Sequence, residues 1–249
     1  MSELELIIDL HKGTPRQGPG SEKDSLKALS FMDLPKDKTL KIADLGCGSG
    51  GQTLTLAQHT HSEILAIDLF QEFLDELEKR SKDLGFEKQI KTKAESIVDL
   101  KIEKESLDVI WSEGAIYNMG FEKGIQYWHQ FLKPKGYLAI SEITWITQER
   151  PKEIEEFWMK EYPEVDTASN KIQQLESNGY TLCGYFYLSE KSWVDEYYRP
   201  LQSGFESFLD RHNHSAQAKE VIEMNQAEIE LYNKFKAYYS YGFYIARKD

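Results

Sequence analysis

The sequence predicts an α/β fold: a doubly wound, mostly parallel sheet of seven strands in which the last strand runs antiparallel. Three observations carry this. Strand-sized apolar runs alternate with stretches of helical periodicity from about residue 40 to about residue 142, and such alternation builds a parallel sheet with helices on both faces. Beyond that point the alternation stops, and two further strand-like runs, YTLCGYFYL and the C-terminal YYSYGFYIARK, stand on either side of a helical excursion. A parallel partner for the final run would need another right-handed crossover, so an antiparallel return at the sheet edge fits better.

The elements follow in chain order. Gly18-Pro19-Gly20 breaks the chain, and Ser21 caps a helix whose Leu26, Leu29, Phe31 and Met32 face inward. LKIADL is the first strand, and a helix follows it. EILAID is the second, succeeded by FQEFLDELEKRSKDLG, where Phe73, Leu74, Leu77 and Leu84 recur at helical spacing and Gly85 is a stop signal. QIKTK, SLDVIWS and GYLAISEI supply the next three strands. Helices are then expected from residue 151 to about 162 and around 170–177, and a long one carries Val221, Met224, Ala227, Leu231 and Phe235 on one face. No repeat, low-complexity tract or linker divides residues 1–249, which read as a single domain.

Composition narrows the function. The 249 residues are 40% hydrophobic and 29% charged, an ordinary globular balance. No apolar run approaches the roughly 20 residues of a membrane helix, and the acidic start lacks the pattern of a secretory signal, so a cytoplasmic protein with no membrane partner is expected. Forty-two acidic residues against 30 basic ones give a formal charge of -12, which disfavours nucleic acid as a partner. Two cysteines are too few for a disulfide framework or a cysteine zinc site, and His212-Asn213-His214 lacks partners at metal spacing; no metal is expected. The acidic helix at 218–236 disfavours an anionic membrane surface.

The strongest motif is Asp44-Leu45-Gly46-Cys47-Gly48-Ser49-Gly50-Gly51, which follows a strand and opens a helix. Its glycines let the backbone turn sharply and approach a ligand, with free amides at the helix start. Cys47 is small enough for that turn and reads as packing, not as a nucleophile. Asp68 ends the second strand, where a carboxylate can accept both hydroxyls of an adenosine ribose. Gly46, Gly48 and Gly51 also satisfy the dinucleotide spacing, so the pattern alone leaves a nicotinamide or flavin site open beside another adenosyl cofactor. Two features disfavour the dinucleotide: a helix precedes the first strand, and Asp44 would crowd a pyrophosphate while suiting a cationic sulfonium.

These residues resemble the class I S-adenosylmethionine-dependent methyltransferases, whose first motif is an acidic strand end followed by Gly-x-Gly-x-Gly, matched by Asp44, Gly46, Gly48 and Gly50. The resemblance runs on through Asp68, Ala94-Glu95-Ser96, the fourth strand and the segment Leu132-Lys133-Pro134-Lys135-Gly136 before the fifth. With Ser-Glu-Gly-Ala-Ile-Tyr-Asn at 112–118, the chain looks most like small-molecule members of the ubiquinone/menaquinone-type group. The resemblance implies a Rossmann-like methyltransferase sheet and S-adenosylmethionine as cofactor. It places residues 46–50 under the methionine and ribose, Asp68 on the ribose and Phe70 beside the adenine, with Leu69 also among the cofactor-binding residues. Glu95, where the family usually has Asp, would accept from the adenine amino group, and the Ser96 backbone amide would meet the ring. Ser112 and Glu113 would line the floor beneath the methyl, and Arg16, within an N-terminal cover at 1–38, would hold the cofactor carboxylate.

Transfer from an activated sulfonium needs alignment, exclusion of water and, for some acceptors, proton removal. Glu113 and Tyr117 follow the fourth strand on the ligand side of the sheet and are the candidate base or acceptor anchors. Segments within 145–237 are expected to roof the acceptor, with Trp145, Trp193 and Tyr197 as its contacts. Aromatic walls suit an amine through cation-π contact or a planar phenol or quinone-like ring, and the residues do not choose between them. A cofactor-binding sensor without turnover and a nicotinamide oxidoreductase remain the alternative functions.

Overall fold

The computed structural model describes residues 1–249 and holds one sheet of eight strands. They are β1 (Leu40–Leu45), β2 (Ser62–Asp68), β3 (Ile90–Ala94), β4 (Leu107–Glu113), β5 (Leu132–Trp145), the two-residue β6 (Asp166–Thr167), β7 (Tyr180–Tyr187) and β8 (Tyr239–Lys248). The order is β3-β2-β1-β4-β5-β8-β7, with β6 paired to the end of β5. Only β8 is reversed, antiparallel to β5 on one side and to β7 on the other.

The predicted seven-stranded sheet is therefore present, and β6 is a short addition to it. One detail differs: β8 lies between β5 and β7, so β7 is the edge. Its residues explain the placement, since Phe243, Tyr244, Ile245 and Ala246 are all buried in succession, which requires cover on both faces. Residues Val109, Ile110 and Trp111 of β4 and Leu138, Ala139 and Ile140 of β5 are buried in the same continuous way.

The helices are α1 (Glu3–His11), α2 (Glu22–Leu29), α3 (Gly51–His59), α4 (Gln71–Asp83), α5 (Phe121–His129), α6 (Lys152–Glu161), α7 (Ala168–Ser177), α8 (Glu190–Trp193), α9 (Arg199–Ser203), α10 (Phe205–Arg211) and α11 (Ala216–Phe235). One face of the sheet packs against α2, α3, α4 and the late helices in a core that includes Ile42, Leu56, Leu77, Trp111 and Phe208. The other packs against α5 and α7 through Leu45, Ile125, Trp128 and Leu175. No helix is long and apolar enough to cross a membrane.

Two helix faces are offset from their sequence pattern. Leu84 caps the end of α4 and is exposed, because the helix stops at Asp83 and the small Ser81 takes the inward place. On α11 the buried stripe is Val221, Ile222, Ile229, Tyr232 and Phe235, leaving Met224 exposed. Phe31 also lies at the surface, where it stacks on Phe186 at 6.3 Å.

The N-terminal segment is tied at both ends of its path. Asp9 of α1 meets Arg211 and His212 of the α10 end at 2.9 Å each. Ser192 of α8 donates to buried Asp24 at 2.6 Å, and the Gly20 amide donates to the Ser192 carbonyl at 3.2 Å. These bonds hold residues 12–20 across the C-terminal ends of β1 and β4.

Candidate active site

Strand order reverses between β1 and its two neighbours, β2 and β4, and the crevice beyond their C-terminal ends is where open α/β sheets take ligands. A cavity of about 850 Å³ opens there.

Its first wall is the glycine-rich turn between β1 and α3. Gly46 and Gly48 hold φ of +73° and +53°, the left-handed region where a side chain is strained. Space forbids one as well, since a Cβ on Gly46 would lie 2.3 Å from the Ala115 methyl. Across from the turn, Asp68 accepts the Gly48 amide at 2.8 Å and the Phe70 amide at 3.0 Å. Burial raises the Asp68 carboxyl, and these two amides oppose the rise. Cys47 is buried in the same turn; burial and the nearby Asp44 and Asp68 push its thiol well up, which keeps it protonated.

Its second wall is the N-terminal segment. Gln17 reads the turn directly, accepting the Ser49 amide at 2.7 Å and donating to the Ser49 hydroxyl at 2.9 Å. Arg80 of α4 locks the arrangement from outside by donating to the Ser49 and Pro15 carbonyls at 2.6 and 3.1 Å. Arg16 is buried and donates to Glu113 Oε2 at 2.8 Å. The other Glu113 oxygen accepts from Ser25 Oγ at 2.8 Å and Trp111 Nε1 at 2.9 Å. Glu113 thus joins Arg16 of the N-terminal segment to Ser25 of α2 and Trp111 of β4.

The third wall comes from β5, β8 and the late helices. Tyr117 stands at the cavity with its ring edge-on to Tyr162 at 6.2 Å, and burial raises its phenol above the usual range, so it is neutral at physiological pH. Trp193 stacks on Tyr232 at 4.5 Å and donates to Ser240 Oγ at 2.9 Å. Tyr197 lies beside it, and Glu142 of β5 and Glu228 of α11 both face the space.

Of the residues singled out in the sequence, one cavity gathers Arg16, Gly46, Cys47, Gly48, Asp68, Leu69, Phe70 and Ser96 at one end. Glu113, Tyr117, Trp193 and Tyr197 join them toward the other. Five lie behind its wall. Gly50 faces α4, where a Cβ would strike Leu77 at 2.1 Å. Ser112 donates to the Leu45 carbonyl at 2.8 Å, cross-linking β4 to β1. Glu95 turns to Lys93 at 2.9 Å and accepts the Lys101 amide at 3.4 Å. Trp145 is core, under the Arg150 guanidinium at 4.2 Å. Asp44 supports the turn from below, accepting Thr53 Oγ1 at 2.5 Å and Gln52 Nε2 at 3.3 Å.

Burial pushes the Asp44 carboxyl up to about 7, against those two hydrogen bonds. An unfolded aspartate titrates near ~3.9. Between these values the folded chain keeps a proton that the unfolded chain has released, so this group makes stability fall as pH rises, with the loss complete above about 7. Asp44→Asn is expected to lose less stability than the native protein between pH ~4 and ~8 by denaturant midpoint. Parallel pH profiles for the two proteins would contradict this assignment.

Several cavity residues gave weaker signals in the sequence. Gln17 lies in the cover but has no motif, Tyr162 ends a charged helix, and Glu228 sits among the acids of α11, a pattern that reads as a solvated face. Glu142 was findable, because it lies near the C-terminal end of β5, the end of the sheet where ligands bind.

Comparison with known proteins agrees with this geometry. A family model described as a methyltransferase domain matches residues 36–204. The dimethylglycine N-methyltransferase of Parasynechococcus marenigrum is 27% identical over 139 residues, 54% of this chain and 50% of that protein. An uncharacterised methyltransferase-like protein of Schizosaccharomyces pombe is 27% identical over 113 residues, 45% of this chain and 41% of that protein. The chain spans about half the length of these curated relatives. Among solved structures, YjhP from E. coli superposes with a TM-score of 0.85 at 18% identity, over 98% of this chain and 100% of that one. A methyltransferase from Geobacter sulfurreducens, solved with S-adenosylhomocysteine, gives 0.81 at 17% identity over 99% and 98% of the two chains. The glycine turn, the carboxylate at the end of β2 and the family match over 36–204 together establish that the chain belongs to the methyltransferase-domain family.

Proposed function

We propose that this protein transfers a methyl group from S-adenosylmethionine to an oxygen, nitrogen or carbon of a small molecule. The observation that carries the reading is the single cavity of about 850 Å³ that joins the glycine turn and Asp68 to an aromatic chamber under the late helices. The donor set suits the cofactor: a carboxylate for a ribose diol, close-approach glycines, the apolar Leu69 and Phe70 for an adenine, and one buried guanidinium for a carboxylate. Solved proteins of this fold, including one from Thiobacillus denitrificans, were captured with S-adenosylhomocysteine. Bound S-adenosylmethionine supplies a methyl already activated by its sulfonium.

The chain's own residues then bind, orient and shield. Asp68 holds the ribose, Ser96 offers its backbone to the adenine, and Arg16, fixed by Glu113, takes the carboxylate. Gly46, Cys47 and Gly48 admit the ligand at the turn, while Asp44, Gly50, Glu95 and Ser112 act from behind the wall. Residues 1–38 serve as a cover over the cofactor, and segments within 145–237 roof the acceptor, excluding water. Trp193 and Tyr197 contact the acceptor, Trp145 supports them from the core, and Tyr117 offers a neutral hydroxyl as an anchor. The run at 112–118 is consistent with the ubiquinone/menaquinone-type group.

The test is acceptor-dependent formation of S-adenosylhomocysteine from S-adenosylmethionine with small amines, phenols and quinone precursors. Formation that rises with one acceptor class supports transferase activity. Tight cofactor binding with no turnover across the classes would instead favour a sensor.

A further inference from the structure

We propose that the acceptor carries an organic ammonium group, held in the chamber distal to the glycine turn by Glu228 within aromatic rings. The proposal deepens the methyltransferase reading and rests on it only in assigning the opposite end of the cavity to the cofactor.

The charges in the chamber point one way. Glu228 accepts a single hydrogen bond, from the Tyr198 hydroxyl at 3.1 Å, and no cation pairs with it. Glu142 is 1% exposed, and its Oε1 accepts no hydrogen bond. The nearest cation, Lys171 Nζ, stands 3.6 Å from that oxygen, and the neighbouring Tyr162 hydroxyl also lacks a partner. Glu161 adds a third carboxylate at the mouth, next to exposed Lys160 at 3.2 Å. Arg16 is the one cation in the cavity wall, and Glu113 engages it.

With Glu142 paired to Lys171, Glu228 is the chamber carboxylate left without a cation. Glu228 is open to the cavity, and a ligand that fills the chamber displaces the water around it, so its complement is expected to arrive with that ligand. The surrounding rings, Trp158, Tyr197, Tyr239 and Tyr241, add their electron-rich faces, which favour a weakly hydrated alkylammonium. A phenolate or carboxylate acceptor meets repulsion from Glu228, and a neutral ring would cover Glu228 without pairing it.

The experiment is calorimetry on the full chain saturated with S-adenosylhomocysteine, which keeps small cations out of the cofactor's place. The probes are tetramethylammonium against tert-butanol, and benzyltrimethylammonium against benzyl alcohol. Each cation is expected to bind about tenfold or more tightly than its neutral counterpart. Glu228→Gln, with S-adenosylhomocysteine affinity and melting temperature retained, is expected to abolish most of that preference. Equal binding within both pairs by the native protein overturns the proposal, whatever the variant does. Cation binding that S-adenosylhomocysteine eliminates also overturns it, by moving the cation into the cofactor end. Failure to bind S-adenosylhomocysteine at all counts against the methyltransferase reading instead, so the two failures are distinct.

Discussion

Arg16→Met is expected to lower the unfolding free energy by about 3 kcal/mol or more, the low end of the range for removing one partner of a buried ion pair. Both side chains are under 10% exposed, with Arg16 at 8% and Glu113 at 4%, so the pair is largely shielded from water. Ser25 and Trp111 still donate to Glu113, which is why the low end applies. In a chain of this size each kcal/mol moves the melting temperature by roughly 2–4 °C, so a drop of about 10 °C is the expected reading. The double variant Arg16→Met, Glu113→Gln should recover much of it, because no uncompensated charge is left behind. Strictly additive losses would show that the two residues do not form the unit described above.

Asp68→Ala is expected to weaken S-adenosylmethionine binding by about ten- to a hundredfold, as hydrogen bonds to a charged group are worth roughly 1.5–3 kcal/mol. Two effects act together. The ribose loses its carboxylate acceptor, and the Gly48 and Phe70 amides lose the group that holds the turn and the start of α4 in register. Asp68→Asn separates them, since its amide oxygen can still accept one of those bonds and should restore part of the affinity. Unchanged affinity in Asp68→Ala, measured by titration calorimetry, removes Asp68 from the proposed ribose site.

The fold was legible because its signals are local and periodic. Apolar runs such as LDVIW can be buried only in a strand covered on both faces, and the strands of the parallel half stand where those runs lie. The position of β8 was less legible: antiparallel pairing followed from chain length and handedness, but slotting between β5 and β7 depends on which edges are free once the sheet is assembled. At the site, the glycine turn and Asp68 were readable because backbone geometry demands those residue types at those places.

Side-chain partnerships were not readable in that way. Glu113 stands at the strand end where a base was sought, but its hydrogen-bond partners, Arg16, 97 positions away, and Ser25, 88 away, carry no signal at that spacing. Glu95 matched a motif position, but Lys93 two residues earlier draws its carboxylate aside. Trp145 and Trp193 looked equivalent as aromatics after the fifth strand; one became core beneath Arg150 and the other a cavity wall. Glu228 looked like surface because its helix is acidic throughout, and only the packing of α11 over the sheet end turns that one carboxylate inward.

The cavity is expected to take S-adenosylmethionine. Calorimetric titration of the purified protein with S-adenosylmethionine, S-adenosylhomocysteine and NAD tests it most directly. Micromolar-range affinity for both sulfur ligands and none for NAD is the expected result. Binding of NAD with no response to either sulfur ligand would contradict it, and would turn Gly46, Gly48, Gly51 and Asp68 into a dinucleotide site.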